Sequence, residues 1–249
     1  MKRYLFALIM LIFFIGSCSD QKNSKDKMRR FVFVSLDANK YIDISEVIKD
    51  KKAYDLLLEN GFVNVETYNS DSINIIIVDA EADFDLDTCK KVINNLSKES
   101  AEFLPFAKVI DGEYALIDRI YKMEQKRVYT AAQGQLIRRT PKEYARFVLT
   151  LEIINDPELA NEYVAVHAPG KAWPEITQNM KTVGIKDMEI YLTGYRAFLI
   201  MDTKPDFDWD TDGEKWGTLP REKEWQAYVA KFQKTNPESK AAEKWKSMK

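Results

Sequence analysis

The side chain best suited to acid/base chemistry at neutral pH occurs once among the 249 residues, as His167. Tyr163 precedes it by four residues, a spacing that places both side chains on one face of a helix. Pro169 and Gly170 follow, and both residue types end helices. The pattern predicts an imidazole at an open edge of the fold, where it can give or take a proton.

Aromatic residues at helical spacing indicate what this imidazole could meet. Trp225 and Tyr228 share one face of a second predicted helix. Aromatic faces pack against the C–H faces of a sugar ring, and tyrosine hydroxyls bond its hydroxyl groups. The pattern favours a small carbohydrate pocket, although the same spacing is typical of core packing and a lone histidine is more often structural.

Composition excludes several classes of function. With 45% hydrophobic and 12% aromatic residues the chain is predicted to be globular, and its net charge of −2 argues against a nucleic-acid partner. One histidine and two cysteines are too few for a histidine- or thiolate-rich metal site. The acidic run from Asp206 to Asp210 lacks the glycine and glutamate spacing of a calcium loop, so it is interpreted as a helix start and no metal is predicted.

The N-terminus carries the pattern of an export signal. Lys2 and Arg3 precede an apolar run, residues 4–15, that is too short to span a bilayer comfortably. Small residues directly before Cys18 resemble the lipobox of bacterial lipoproteins, which implies a signal peptide over residues 1–17, lipidation of Cys18 and a flexible tether over 18–28. The predicted location is a bacterial membrane, facing the periplasm or the outside; an ordinary signal peptide is the alternative.

The chain also repeats itself. The decapeptide Asp79–Thr88 matches Asp202–Thr211, which lies 123 residues later. Three further markers occur in the same order in both halves: Gly61 and Gly184, Ala107 and Ala230, and Arg30 and Arg146. Four ordered markers indicate a tandem duplication.

Each half has the predicted order β-α-β-β-α-β, which is ferredoxin-like. Strands are predicted near 30–36, 62–68, 72–79, 113–121, 146–153, 187–193 and 197–203, with a last one from Trp245, and later helices near 85–104 and 211–233. Such a sheet carries helices on one face only, so two copies must cover each other. The predicted fold is therefore α+β: two ferredoxin-like repeats, 29–124 and 144–249, joined by a linker over 125–143 into an intrachain pseudo-dimer of the dimeric α+β barrel type.

The second half, from about Tyr144 to Lys249, resembles the L-rhamnose mutarotase family. The matching features are Arg146-Phe147-Val148, Glu162-Tyr163-x-x-x-His167, Pro169-Gly170, Trp173-Pro174-Glu175, Gly184, Ile190-Tyr191-Leu192 and Trp225. The resemblance implies a dimeric α+β barrel in which His167 is the catalytic proton donor. The residues expected to contact the substrate are Tyr163, Trp173 and Trp225.

The resemblance implies a mutarotase, which opens a cyclic hemiacetal and recloses it on the other face. The reaction moves two protons and no electrons, so no cofactor is expected. The expected substrate is a deoxy-hexose such as L-rhamnose or L-fucose, and Glu175 or Tyr163 is the candidate for the second proton. The first repeat carries Lys51 in place of His167 and Val47 in place of Tyr163, so we expect it to be a degenerate partner.

Two other functions stay open at this point. The chain could be a non-catalytic carbohydrate-binding or accessory lipoprotein on the same scaffold, or a haem-binding protein with His167 as axial ligand. The expected partners are a monosaccharide and a lipid bilayer, and association into a homo-oligomer is left open.

Overall fold

The computed structural model describes residues 26–141, 143–235 and 244–249. The predicted signal peptide, Cys18 and most of the predicted tether lie outside the described residues. Within the described ranges, no helix combines the length and the apolar character needed to cross a membrane.

The described chain forms two antiparallel sheets and helices that cover them. The strands are β1 (Lys27–Ser35), β2 (Phe62–Ser70), β3 (Ile73–Glu81), β4 (Ala115–Leu116), β5 (Asp118–Lys122), β6 (Gln135–Arg138), β7 (Ala145–Glu152), β8 (Ile185–Thr193), β9 (Arg196–Thr203) and β10 (Lys246–Ser247). The α-helices are α1 (Ser45–Lys49), α2 (Lys51–Glu59), α3 (Leu86–Glu99), α4 (Leu104–Lys108), α5 (Pro157–His167), α6 (Pro174–Thr182), α7 (Glu214–Thr218) and α8 (Glu222–Ala230).

The strand order confirms the predicted fold class. The first sheet runs β2-β3-β1-β4, and β6 also pairs with β1; the second runs β8-β9-β7-β10, with β5 added beside β8. The order is the same in both halves, so the chain contains two ferredoxin-like repeats. The segment predicted to be a linker contains β6, which pairs with β1 through Lys27 and Arg138 at one end of its register.

In both repeats the chain pairs with the other sheet at or just after its last strand. The single strand predicted over 113–121 is divided: β4 pairs with β1 of the first sheet, and β5 pairs with β8 of the second. At the opposite seam, the chain leaves β10 and Lys249 exchanges two backbone hydrogen bonds with Asn69 of β2, at N–O distances of 2.7 and 2.8 Å. The two sheets are therefore joined along both seams into one barrel.

The central strands are apolar on both faces because each separates two cores. On β1, Phe31 and Phe33 pack against the helices of the first repeat, whereas Val32 and Val34 face the barrel interior. On β9, Leu199 packs against the helices of the second repeat, with Phe198 and Ile200 facing the interior. This arrangement explains why these strands are near-continuous hydrophobic runs instead of alternating ones.

The later helix of each repeat is shorter than predicted. The first ends at Glu99 and is followed by the separate helix α4. The second is broken into α7 and α8, with Pro220 and Arg221 between them. Proline cannot continue the hydrogen-bond ladder of a helix, and Arg221 takes a left-handed φ of 63° at the start of α8.

Two buried arginines bind carboxylates on both sheets. Arg30 on β1 bonds Asp79 of its own sheet at 2.7 and 2.8 Å and Glu189 of the second sheet at 2.8 Å. Arg146 on β7 repeats this pattern with Asp202 of its own sheet, at 2.7 and 2.9 Å, and with a carboxylate of the first sheet.

The carboxylate that Arg146 reaches across the barrel is Glu66, at 2.7 Å. Glu66 and Glu189 are 123 residues apart, the same offset that relates the two decapeptides. The crossed pairs therefore obey the internal two-fold relation of the repeats, and they fix the position of one sheet relative to the other.

The two crossed pairs differ in burial. Glu189 is 1% exposed and also accepts from Arg119 and Tyr191, whereas the Glu66 side chain is 26% exposed. Burial raises the pKa of Glu189, but the guanidinium groups of Arg30 and Arg119 outweigh it and hold the pKa of that carboxyl well below its usual range. Glu189 therefore stays ionised inside the barrel.

Replacing Glu189 with alanine should strongly destabilise the fold. The change leaves the buried charge of Arg119 without its carboxylate and removes one partner of Arg30, a kind of loss that typically costs about 3–5 kcal/mol. Glu66→Ala is the matched control: its position is related by the repeat, and we expect less than half that loss because water reaches the site. Urea unfolding measures both; equal losses in the two variants would contradict the prediction.

Candidate functional site

His167 is the last residue of α5, whose two ends have clear sequence causes. Asp156 caps the start, its side chain accepting from the backbone N–H groups of Glu158 and Leu159, and Pro157 occupies the first helical position. After His167 the chain passes through Gly170, at a φ of 75°, before α6 begins. The predicted helix end is thus confirmed, although His167 is only 6% exposed and does not lie at an open edge.

A cavity of about 100 Å³ lies between the second sheet and its helices. His167 lines it together with apolar and aromatic side chains from both layers. The other lining residues are Tyr121, Leu149, Tyr163, Ala172, Ile176, Met180, Met188, Ile190, Leu199, Trp209, Trp216, Trp225, Gln226, Val229, Gln233 and Trp245. Its volume is below the roughly 300–1,000 Å³ typical of sites for drug-sized ligands and cofactors, which disfavours haem.

The hydrogen bond of His167 defines its tautomer. Nδ1 lies 2.7 Å from the backbone oxygen of Tyr163, one turn earlier in the helix. A carbonyl oxygen only accepts, so Nδ1 carries the proton and Nε2 is the unprotonated nitrogen. Nε2 has no hydrogen-bond partner among the described residues, which leaves a proton acceptor in a cavity wall.

The imidazole is neutral at physiological pH. Burial of the ring lowers the pKa of His167 from 6.5 to about 4, despite the opposing effect of the hydrogen bond to Tyr163. The sequence predicted a group that can give or take a proton at neutral pH. The lowered pKa makes the neutral ring the resting form, and a neutral ring first acts as a base.

Two of the three residues expected to contact substrate lie beside His167. The ring centroids of Tyr163 and Trp225 are 4.3 and 5.9 Å from that of His167, and both side chains line the cavity. Trp173 is not among the lining residues. Its ring packs against that of Trp225, with centroids 5.3 Å apart, and the guanidinium of Arg221 lies 4.0 Å above it. Trp173 therefore supports the wall of the cavity.

The two candidates for the second proton are placed differently. The Glu175 side chain is 43% exposed, pairs with Arg221 at 3.1 Å and is not among the residues that line the cavity. Tyr163 lines the cavity, but burial raises the pKa of its phenol above the ordinary value of 10. Its hydroxyl is thus suited to hydrogen bonding and poorly suited to losing a proton.

Sequence reasoning missed polar residues that reach the cavity from a distance in the chain. Tyr121 lies on β5, so it enters the site from the first repeat, with its ring centroid 6.0 Å from that of His167. Gln233 lines the cavity, and its Oε1 is buried without a hydrogen-bond partner in the described part of the chain. A buried acceptor of this kind is available to a hydroxyl group of a ligand. The only signal in the sequence for Gln233 was its polar side chain in a segment rich in aromatic residues.

A buried carboxylate holds one wall in place. Glu222 is 1% exposed, and its Oε1 accepts from Nε1 of Trp216 at 2.8 Å and from Nδ2 of Asn179 at 3.0 Å. Burial raises the pKa of this carboxyl. Because Glu222 begins α8, it links the orientation of Trp216 to the helix that carries Trp225.

The corresponding region of the first repeat has a different character. Val47, in the place of Tyr163, is fully buried in an apolar core with Phe103 and Phe106, and Lys51, in the place of His167, is exposed. The first repeat thus carries none of the site groups at its own equivalent positions and instead lends Tyr121 to the second.

Comparison with known proteins agrees with this asymmetry. The family model for L-rhamnose mutarotase matches residues 146–249, and the chain is 31% identical over 101 residues to an L-fucose mutarotase of Xanthomonas campestris, covering 81% of that protein and 41% of this chain. This chain belongs to the L-rhamnose mutarotase family through its second half. A UPF0734 protein of Dictyostelium discoideum is 33% identical over 110 residues, with 86% of that protein and 43% of this chain covered.

One solved structure, of an anthrone oxidase-like protein, aligns with 85% of this chain and 88% of its own, at 10% identity and a TM-score of 0.41. The mutarotase match, by contrast, covers the second half and with it His167, Tyr163 and Trp225. The part of the chain that resembles mutarotases is therefore the repeat that carries most of the cavity lining.

The single histidine allows a direct pH test of this mutarotase-family site. NMR titration of the His167 ring protons should give a pKa near 4 in the folded chain, against about 6.5 in urea. Between these values the unfolded chain binds more protons, so the free energy of unfolding should fall as the pH drops from 6.5 to 4. A folded-state pKa near 6.5 would contradict the burial of the ring.

Proposed function

We propose that this chain is a sugar mutarotase that interconverts the α and β anomers of a deoxy-hexose such as L-rhamnose or L-fucose. The observation that carries the proposal is the unprotonated Nε2 of His167 in an aromatic cavity. The L-fucose mutarotase relative supports the substrate class. The aromatic walls suit the C–H faces of a sugar, and Gln233 and Tyr121 offer polar atoms for its hydroxyl groups.

The proposed mechanism uses His167 for both proton transfers. Nε2 takes the proton of the anomeric hydroxyl while the bond between C1 and the ring oxygen breaks and C1 becomes a carbonyl. The imidazolium then gives that proton to the ring oxygen, which was bonded to the same carbon. Rotation about the C1–C2 bond exposes the other face of the carbonyl, and the reverse sequence closes the ring as the other anomer.

Two features of the site support a single relay group. An imidazolium of low pKa releases its proton readily, so the charge exists only briefly in the buried site. Glu175 faces solvent and Tyr163 has a raised pKa, so neither is a good second acid. No cofactor enters the proposal, since the reaction moves protons alone.

Anomer exchange measured by NMR tests the proposal. The chain lacking residues 1–25 should accelerate exchange of L-fucose or L-rhamnose, and His167→Gln should lower the catalysed rate by about 10²–10⁴, the usual contribution of one acid/base group. The matched control is Lys51→Gln at the equivalent, exposed position of the first repeat, which should leave the rate unchanged. Circular dichroism confirms that each variant is folded.

The same experiment decides between catalysis and a second candidate function. The first repeat lacks the site residues at its own equivalent positions, which favours a non-catalytic carbohydrate-binding lipoprotein as the alternative. Sugar binding by the folded wild type without any acceleration of exchange would overturn the mutarotase proposal and support that alternative.

We also propose that the chain is exported and anchored to a bacterial membrane by lipid on Cys18. The support is the sequence alone: a basic start, a short apolar run and small residues before the cysteine. Cys18→Ser should move the expressed protein from the membrane fraction to the soluble fraction. The matched control is Ser19→Ala, which should stay with the membrane; a wild-type chain found in the soluble fraction would contradict the anchor.

A further inference from the structure

A second cavity, of about 610 Å³, lies beside the seam where β5 pairs with β8. It shares no lining residue with the cavity at His167. Its walls come mainly from the segment between β5 and β7, with contributions from the two paired strands. The lining residues are Arg119, Lys122, Met123, Glu124, Gln125, Lys126, Arg127, Tyr129, Leu136, Ile137, Arg138, Arg139, Thr140, Pro141, Lys186 and Asp187.

The lining is strongly basic. Seven of these residues are lysine or arginine and only two are acidic, in a chain whose net charge is −2. Both carboxylates are engaged: Asp187 pairs with Lys122, and Glu124 pairs with Lys181, which is outside the lining. Concave walls of one charge sign focus the electrostatic field and attract ligands of the opposite sign.

Four cations at the rim lack an acidic partner. Lys126, Arg127, Arg138 and Arg139 form no ion pair with any residue in the parts of the chain that the structure describes. Arg127 instead lies over the ring of Tyr129, with its guanidinium carbon 5.6 Å from the centroid. Unpaired guanidinium groups around a recess are suited to bidentate contacts with oxyanions.

Buried polar atoms of two lining residues also lack partners in the described part of the chain. Arg119 is 4% exposed; one of its terminal nitrogens bonds Glu189 at 2.8 Å, while its Nε is buried without a partner in the described structure. Oε1 of Gln125 is likewise buried without a hydrogen-bond partner in the described structure. Buried donors and acceptors are normally satisfied, so these two atoms indicate groups that a bound molecule or water supplies.

We propose that this cavity binds a small polyanion with two or more phosphate, sulfate or carboxylate groups. The volume lies within the roughly 300–1,000 Å³ of small-ligand sites. Because the cations at the rim have no acidic partner among the described residues, we expect the ligand to be negatively charged. This proposal is independent of the mutarotase proposal, because the two cavities have separate linings and binding is measured without turnover.

Calorimetry with inositol hexakisphosphate, pyrophosphate and trigalacturonate tests the site. Wild type should bind at least one of them, with affinity falling as salt rises. Arg138→Ser combined with Arg139→Ser should weaken binding at least tenfold. The control is Lys51→Ser combined with Lys52→Ser, which removes the same charge from exposed positions of the first repeat and should keep wild-type affinity.

The pattern of probes identifies the oxyanion. Binding of the two phosphate probes alone assigns a phosphorylated ligand, and binding of trigalacturonate alone assigns an acidic saccharide; both outcomes support the site. Failure of folded wild type to bind any probe at low salt would overturn the proposal. An equal loss of affinity in the two double variants would also overturn it, because attraction would then depend only on total charge.

Discussion

The arginine–carboxylate pairs that cross the barrel set the relation between its two sheets. Removing charges from water is costly, and a buried pair compensates only with good geometry. Arg30 achieves this by bonding Asp79 through two nitrogens and using a third for Glu189 on the other sheet. An apolar interface of valines and isoleucines tolerates sliding, whereas an arginine fork meets its partners in one register only. We therefore attribute the defined pairing of the sheets to these contacts.

That pairing is also the origin of the site. Once the sheets are held in register, β5 of the first repeat lies beside β8 and delivers Tyr121 to the cavity of His167. The same strand presents Arg119 to Glu189 and to the basic cavity. The first repeat thus has Lys51 where the second has His167, yet the second repeat depends on the first for a wall of the cavity and for a closed barrel.

The sequence predicted what is local or repeated and missed what depends on distant partners. The repeated decapeptide and the paired glycines were enough to predict the strand order, because two halves of similar sequence are expected to form the same fold. The exchange of β5 was missed, since the choice of neighbour for a strand is a long-range property. Trp173 was expected to contact the substrate because of the family resemblance, and in the structure it packs against Trp225 without lining the cavity. The basic cavity was overlooked in a segment interpreted as a linker.

The low basicity of His167 is compatible with the proposed reaction, because sugar ring opening needs only modest acceleration. Ring opening of a sugar proceeds in water without help, so a catalyst needs to supply only a small part of the barrier. Burial weakens the imidazole as a base by lowering its pKa to about 4, but it also keeps nearly every ring neutral and ready at neutral pH. The conjugate acid then returns the proton easily. The proposed mechanism therefore asks of a single buried histidine, with its Nδ1 proton held by the Tyr163 carbonyl, only that it carry a proton between two oxygens on one carbon.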